Sequence, residues 1–275
     1  MRELTLPGRL ILLPGLGSSP AVFDHQRKAF GDRLETPEFI PHERGESVAA
    51  YAQRWAKQLS TPGNQGRPND NRPLFIGGVS FGGMLAQEMA MHLSPRPRAV
   101  FLISTTRQAN KITGIMQLAE LLGRGVPSGS VNQVLPLIKL GFALREGLDD
   151  DDKGRLMQGA REVDQAMTKW AAGVAVSWPG FTPPSDYPAT HQIHSKNDWV
   201  IKAPADGTPN VEIVDGSSHL LHMTHPKTIN RFLFEHIMQT CPEINEAQTS
   251  RIEDPHTTAQ RRVMLEGAPA GTPLV

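Results

Sequence analysis

The sequence predicts an α/β fold: a mostly parallel sheet of about six strands with flanking helices and a helical insertion. Two observations carry this. Short apolar runs rich in Leu, Ile, Val and Phe alternate with segments whose apolar residues recur at helical spacing, the pattern of strands joined by crossover helices. Between Thr106 and Trp178 that alternation stops and only helical patterns remain. At 275 residues and 39% hydrophobic composition, the chain can bury a sizeable core.

Taken in order, Arg9 to Leu13 reads as a buried strand stopped by Pro14-Gly-Leu-Gly17. Ser19 and Pro20 open a helix that runs from about Ala21 to Phe30, with Ser19 as its cap. Leu34 to Ile40 is a second strand, weakened by Pro37. Ser47 caps a helix whose inward face is Val48, Tyr51, Ala52, Trp55 and Leu59, and Tyr51 and Trp55 read as core packing. A solvent loop from Thr61 to Arg72 leads into the apolar strand that ends near Val79. Arg98 to Ile103 is the next strand.

The insertion reads as three amphipathic stretches. Ile112, Ile115, Met116, Ala119 and Leu122 make one face, and Val131, Val134, Leu135, Ile138 and Phe142 a second, interrupted by Pro136. Leu156, Ala160, Val163, Met167, Trp170 and Val174 make a third, which starts at the acidic run Asp149 to Asp152. Acidic side chains there complement a helix N-terminus, a better reading than a metal site. Strands resume at His191–His194 and Val211–Val214, and a last helix runs from Pro226 to about Met238. The expected organisation is a core over 1–105 and 186–240, an insertion over 106–185, and a mobile or loosely packed tail over 241–275.

Charge and cysteine content narrow the classes of function. Formal net charge is zero, which removes the electrostatic argument for nucleic acid or an anionic membrane as partner. Cys241 stands alone, excluding an intramolecular disulfide and suiting a reducing compartment. No leader pattern and no apolar stretch of membrane-spanning length is visible, so a soluble cytoplasmic protein without a membrane span is expected.

The chemistry centres on Pro73-Leu-Phe-Ile-Gly-Gly-Val-Ser80-Phe-Gly-Gly. A strand breaks at Gly77 and Gly78, and after Ser80 the apolar residues Met84, Leu85, Met89 and Leu93 recur at helical spacing. Ser80 therefore sits on a one-residue turn between strand and helix, within Gly78-x-Ser80-x-Gly82. Small flanking residues suit a strained backbone that pushes the hydroxyl out at the sheet top. Serine is a weak nucleophile until a base takes its proton. His219 is the best-placed base, in the small-residue loop Gly216-Ser-Ser-His just beyond the last strand. His222 and His225 are rivals, read as packing and as the start of the last helix; His42, His92, His191 and His194 carry no placement argument. Asp198, on the loop after the preceding strand, can hold the imidazole in one tautomer. Asp215 is the runner-up acid and looks like turn chemistry.

With these residues in place the chain resembles the α/β-hydrolases of the lid-bearing esterase, lipase and peptidase type, over about residues 9 to 240. The resemblance rests on Leu-Leu-Pro-Gly-Leu-Gly-Ser-Ser, Gly-Val-Ser-Phe-Gly-Gly, Ile-His-Ser-Lys-Asn-Asp and Gly-Ser-Ser-His. Pro14 stands where the family has His in its oxyanion loop, Ser195 replaces a Gly, and the first β-hairpin is missing, implying a trimmed sheet. The resemblance implies that His219 takes the Ser80 proton while Ser80 attacks a carbonyl and Asp198 stabilises the imidazolium. The N–H groups of Leu16 and Phe81 would hold the oxyanion. The loop at Pro14–Gly17 lacks the third glycine of a dinucleotide site and the Lys-Ser/Thr of a phosphate loop. No metal or organic cofactor is required.

The expected function is hydrolysis of a carboxylic ester with a small or medium apolar group. The insertion would act as a lid, and some of Met116, Leu121, Leu122, Leu135, Ile138, Phe142, Met157 and Met167 would line the acyl pocket. A thioesterase or acyltransferase would use the same triad, and a noncatalytic small-molecule receptor is the alternative outside enzymology.

Overall fold

The computed structural model describes residues 4–61, 72–108 and 130–242. The strands are β1 (Arg9–Leu13), β2 (Leu34–Glu35), β3 (Leu74–Val79), β4 (Ala99–Ile103), β5 (Ala189–Ser195) and β6 (Val211–Val214). They form one six-stranded sheet in the order β2-β1-β3-β4-β5-β6, every pair parallel. The helices are α1 (Asp24–Phe30), α2 (Val48–Ser60), α3 (Phe81–Met89), α4 (Val131–Glu146), α5 (Asp150–Glu162), α6 (Gln165–Ser177), α7 (Leu221–Thr224) and α8 (Pro226–Thr240).

Strand alternation divides the core between the two faces of the sheet. Ile11, Leu13, Ile76, Val100 and Leu102 face α2 and α3, where Tyr51, Trp55, Met84 and Leu85 are fully buried. Leu10, Leu12, Phe75, Phe101 and Ile193 face the other way, onto Phe30 of α1 and Phe232 and Leu233 of α8. Each such side chain stabilises the fold by about 1.5–3 kcal/mol relative to exposure. Because all strands run parallel, Leu13, Val79, Ile103, Ser195 and Val214 end at one edge, and the loops after them gather there.

Three expectations change. The second strand is two residues long instead of running to Ile40, pairing β1 only through Leu34 and Glu35. Pro37 has no N–H to extend the ladder, and Phe39 and Ile40 pack on the core instead. The first helix opens with a 3-10 turn at Pro20–Phe23, and Ser19 adopts the cap backbone without its side-chain bond. The third stretch of the insertion is two helices. Val163 is extended, and Asp164 caps α6 by accepting from the Met167 N–H at 2.6 Å. The cap signal of an aspartate before a new apolar run outweighed a periodicity that continues across the break.

Elsewhere Ser47 Oγ accepts from Ala50 N at 3.2 Å. Asp149 caps α5 by accepting from Asp152 N at 2.8 Å, with Asp150 and Asp151 in the first turn. The second stretch forms α4, continuous through Pro136. The stretch from Ile112 to Leu122, most of the loop from Thr61 to Arg72 and the tail beyond residue 242 lie outside the described residues. Trp170 donates to the Glu46 carbonyl at 2.9 Å and Trp178 to Glu88 Oε1 at 2.8 Å, fastening α6 and the chain after it to the core. Among the described residues, no helix is long and apolar enough to cross a membrane.

Candidate active site

Ser80 follows β3 directly and adopts φ 54°, ψ −120°. That positive φ is costly for a residue with a Cβ, about 1–3 kcal/mol, and persists only where the surroundings enforce it. Here the Ser80 N–H donates to the Ile103 carbonyl at 3.1 Å, and its carbonyl accepts from Thr105 Oγ1 at 2.6 Å and Gly83 N at 3.0 Å. The flanking glycines are sterically required. A Cβ on Gly78 would lie 2.3 Å from the Gly82 backbone, and one on Gly82 2.2 Å from the Leu13 carbonyl oxygen. Phe81 is the first residue of α3, with its ring buried in the core. Among the described residues, the N–H groups of Leu16 and Phe81 donate to no protein acceptor and the Ser80 hydroxyl has no hydrogen-bond partner.

Asp198 and His219 come together from separate loops. Asn197 N donates to the Gly216 carbonyl at 2.9 Å, tying the loop after β5 to the loop after β6. His219 Nδ1 lies 2.8 Å from Asp198 Oδ2 and 3.1 Å from Oδ1. A carboxylate can only accept, so Nδ1 carries a proton, and the tautomer of the neutral imidazole that fits this bond has its lone pair on Nε2. Asp198 Oδ1 also accepts from Val200 N at 2.8 Å and Ile201 N at 3.0 Å. The residue thus makes the turn-type bonds expected of an aspartate in a polar loop and the pairing with His219 together. Burial opposes its ionisation, but His219 and His194 outweigh that and hold its carboxyl well below the usual range.

His194 is a residue that sequence reasoning passed over. Fully buried on β5, its Nε2 lies 2.9 Å from the Ile201 carbonyl and 3.2 Å from Asp198 Oδ2. Since Ile201 O only accepts, Nε2 bears the hydrogen and adds a donor on the carboxylate. His194 stands in the family-like segment Ile-His-Ser-Lys-Asn-Asp, four positions before Asp198, whereas His191 lies outside it and its ring instead stacks between Phe101 and His236. Asp215 is exposed on its turn, and His225 bonds to Thr224 Oγ1 at 2.8 Å where α8 begins.

Ser80 and His219 line one cavity with about 30 Å³ of free space, together with Gly15, Leu16, Ile138 and Phe142. Of the insertion side chains expected at a pocket, Ile138 and Phe142 line this one and Met167 lines a neighbouring cavity of about 190 Å³. Leu135 is buried against Gly17, and Met116, Leu121 and Leu122 lie outside the described residues. His222 also lines the first cavity. Burial, then His219, Lys139 and His25, push its imidazole down to about 3, so it is neutral near pH 7.

Two further polar residues come from α4. Lys139 is buried in the cavity wall and donates to the Leu16 carbonyl and Ser18 Oγ, each at 2.9 Å. Burial lowers its ammonium to about 8. The sequence held a signal for it: Lys139 interrupts the apolar stripe of Leu135, Ile138, Phe142 and Ala143, where a solvated lysine has no place. Glu146 Oε1 accepts from the His219 backbone N–H at 2.9 Å and from Trp199 Nε1 at 2.7 Å. It ends α4 beside Gly147, and only the tertiary fold brings it to His219. Among the described residues no group of three or more His, Cys, Asp or Glu is arranged to hold a metal ion.

A parallel sheet with a serine on a positive-φ turn at its C-terminal edge, facing a histidine from a later loop, defines an α/β-hydrolase. The chain belongs to the alpha/beta hydrolase family, whose model matches residues 10–232. A search of curated proteins found no match. Among solved structures, the fold is similar to that of a thermophilic esterase from Thermogutta terrifontis, with TM-score 0.61, 18% identity, and coverage of 86% of this chain and 91% of that one. MenH from S. aureus is similar with TM-score 0.58, 16% identity, and coverage of 86% and 95%. A lipase-esterase related protein from Clostridium acetobutylicum has TM-score 0.56, 14% identity, and coverage of 83% and 93%. At these identities the likeness is one of fold.

Proposed function

We propose that this protein is a serine hydrolase that cleaves a carboxylic ester through Ser80, His219 and Asp198. The observation that carries the reading is the pairing of His219 Nδ1 with Asp198 while the same imidazole faces the cavity that Ser80 faces. His219 Nε2 takes the Ser80 proton as Oγ attacks the carbonyl, and Asp198 stabilises the imidazolium. The N–H groups of Leu16 and Phe81, uncommitted to other acceptors, receive the oxyanion. His219 then protonates the leaving alcohol, and water repeats the cycle to release the acid.

The insertion expected over 106–185, of which α4, α5 and α6 are described, acts as the lid. The cavity volume of about 30 Å³ is well below the ~300–1,000 Å³ of small-molecule sites. α4 supplies Ile138, Lys139 and Phe142 to the wall, so a shift of α4 away from the sheet edge would widen the site for substrate.

Labelling with a fluorophosphonate tests the reading. Wild type should be modified covalently at Ser80, and Ser80→Ala should not. Folded wild type that resists labelling would favour a noncatalytic receptor. Hydrolysis of a panel of short p-nitrophenyl esters, acyl thioesters and aminoacyl amides then separates esterase from thioesterase and amidase.

A further inference from the structure

The geometry points to Lys139 as a binding group for an anionic substrate: the molecule cleaved at Ser80 carries a carboxylate that accepts a hydrogen bond from the Lys139 ammonium. This rests on the hydrolase reading above and narrows it from an apolar ester to a charged one.

The inference starts from an imbalance of charge. An ammonium has three N–H donors. Two are spent, on the Leu16 carbonyl and Ser18 Oγ, both neutral acceptors. Among the described residues, no carboxylate lies within ion-pair distance of Lys139 and no acidic side chain lines its cavity. Three acids of the surrounding elements have partners of their own: Asp198 in His219 and His194, Asp152 in His25 and Arg155, Glu146 in His219 N and Trp199. The neighbouring cavity, lined in part by Glu38, Glu162 and Asp164, has the opposite character.

A buried cation without a counter-ion is expensive, and fastening α4 to the loop at Leu16 needs only a neutral donor such as an amide. What lysine adds over such a donor is charge. In a cavity whose wall includes Val22, Val79, Ile138, Phe142 and Leu156 that buried charge is less screened than at the surface and favours an anion. His222 is neutral and contributes no competing charge. One ammonium with one uncommitted N–H, beside the Ser18 hydroxyl, matches a monoanionic carboxylate.

The test compares charged and neutral esters of equal length. Monomethyl esters of the malonate-to-adipate series carry the carboxylate on the acyl side, and O-acetyl glycolate and O-acetyl lactate carry it on the alcohol side. Methyl alkanoates and alkyl acetates of matching length are the neutral counterparts. In wild type, at least one charged ester should have a kcat/KM more than tenfold above its counterpart. Lys139→Gln, which keeps a donor for Leu16 and Ser18, should bring that ratio to about one. Neutral esters hydrolysed as fast or faster in both series, or a ratio unchanged in Lys139→Gln, would overturn the inference. Binding supplies a readout independent of turnover. Ser80→Ala should bind the preferred charged ester by calorimetry, and Ser80→Ala/Lys139→Gln should bind it at least tenfold more weakly. Should wild type resist both fluorophosphonate and every ester, the hydrolase reading fails, and titrating the calorimetric pair with each charged ester of the panel in turn still decides the role of Lys139. Equal affinity of the two variants would then refute it, as would no binding to either.

Discussion

At the scale of single residues, the site is a set of hydrogen bonds that fix protonation states. Asp198 is surrounded by donors from Val200 N, Ile201 N, His194 and His219, so its charge is stabilised and the His219 proton is held on Nδ1. Asp198→Asn would offer an amide where the imidazole needs an acceptor, favouring the wrong tautomer. We expect kcat to fall by about 10³–10⁴ with the fold retained, read from ester hydrolysis alongside circular dichroism. Glu146 acts one step further out, on the His219 backbone. Glu146→Ala should lower kcat by about tenfold, the worth of one charge-assisted hydrogen bond, while Glu146→Gln, still an acceptor, should recover most of it. Equal losses in the two variants would show that the acceptor at this position does not matter.

At the scale of elements, the turn between β3 and α3 depends on close backbone approach. Gly82→Ala places a methyl 2.2 Å from the Leu13 carbonyl and 2.5 Å from that of Pro14, and neither backbone can give way without moving β1. A loss of about 2–4 kcal/mol in urea unfolding is expected, in the range of overpacked or strained sites. Gly154 offers the control. It lies inside α5, and an added Cβ would meet nothing within 4 Å. Gly154→Ala should therefore raise stability by up to about 1 kcal/mol, because alanine loses less backbone entropy in a helix. The same chemical change thus has opposite signs in two helices, and local packing decides which.

At the scale of the whole molecule, buried bases make stability depend on pH. His222 is pushed to about 3 in the fold against an ordinary value of 6.5, so between these values the unfolded chain binds more protons. Stability falls as pH drops through that window, and by pH 5 this residue alone should cost about 2 kcal/mol. His191, lowered to about 4 by burial and by His236, works in the same direction. Lys139 acts in the same direction in base. With its ammonium at about 8 in the fold against 10.5 unfolded, stability should rise with pH across that interval, by up to about 3 kcal/mol. Urea midpoints of wild type and Lys139→Met between pH 7 and pH 10 would check this, since the rise should be smaller in the variant.

The order of elements was legible because it is written in periodicity. Strands buried on both faces show as apolar runs, and Ser80, Asp198 and His219 show because each follows such a run at its C-terminal end. The pattern Gly78-x-Ser80-x-Gly82 marks a backbone conformation that few other sequences tolerate, so it could be read without coordinates. Periodicity failed where a local cap broke it, at Asp164, and where Pro37 ended an edge strand early. Lys139, Glu146 and His194 depend on pairings across 123, 73 and 4 positions respectively, with Leu16, His219 and Asp198. Lys139 left a trace as a charge on an apolar stripe, and His194 as the histidine of Ile-His-Ser-Lys-Asn-Asp; Glu146 left none. The sequence by itself determined which backbone turns and which chemical groups stand at the sheet edge, because those follow from neighbours along the chain. Only the tertiary structure decided which buried charges are left without a counter-charge, because charge balance in a cavity is a property of everything folded around it.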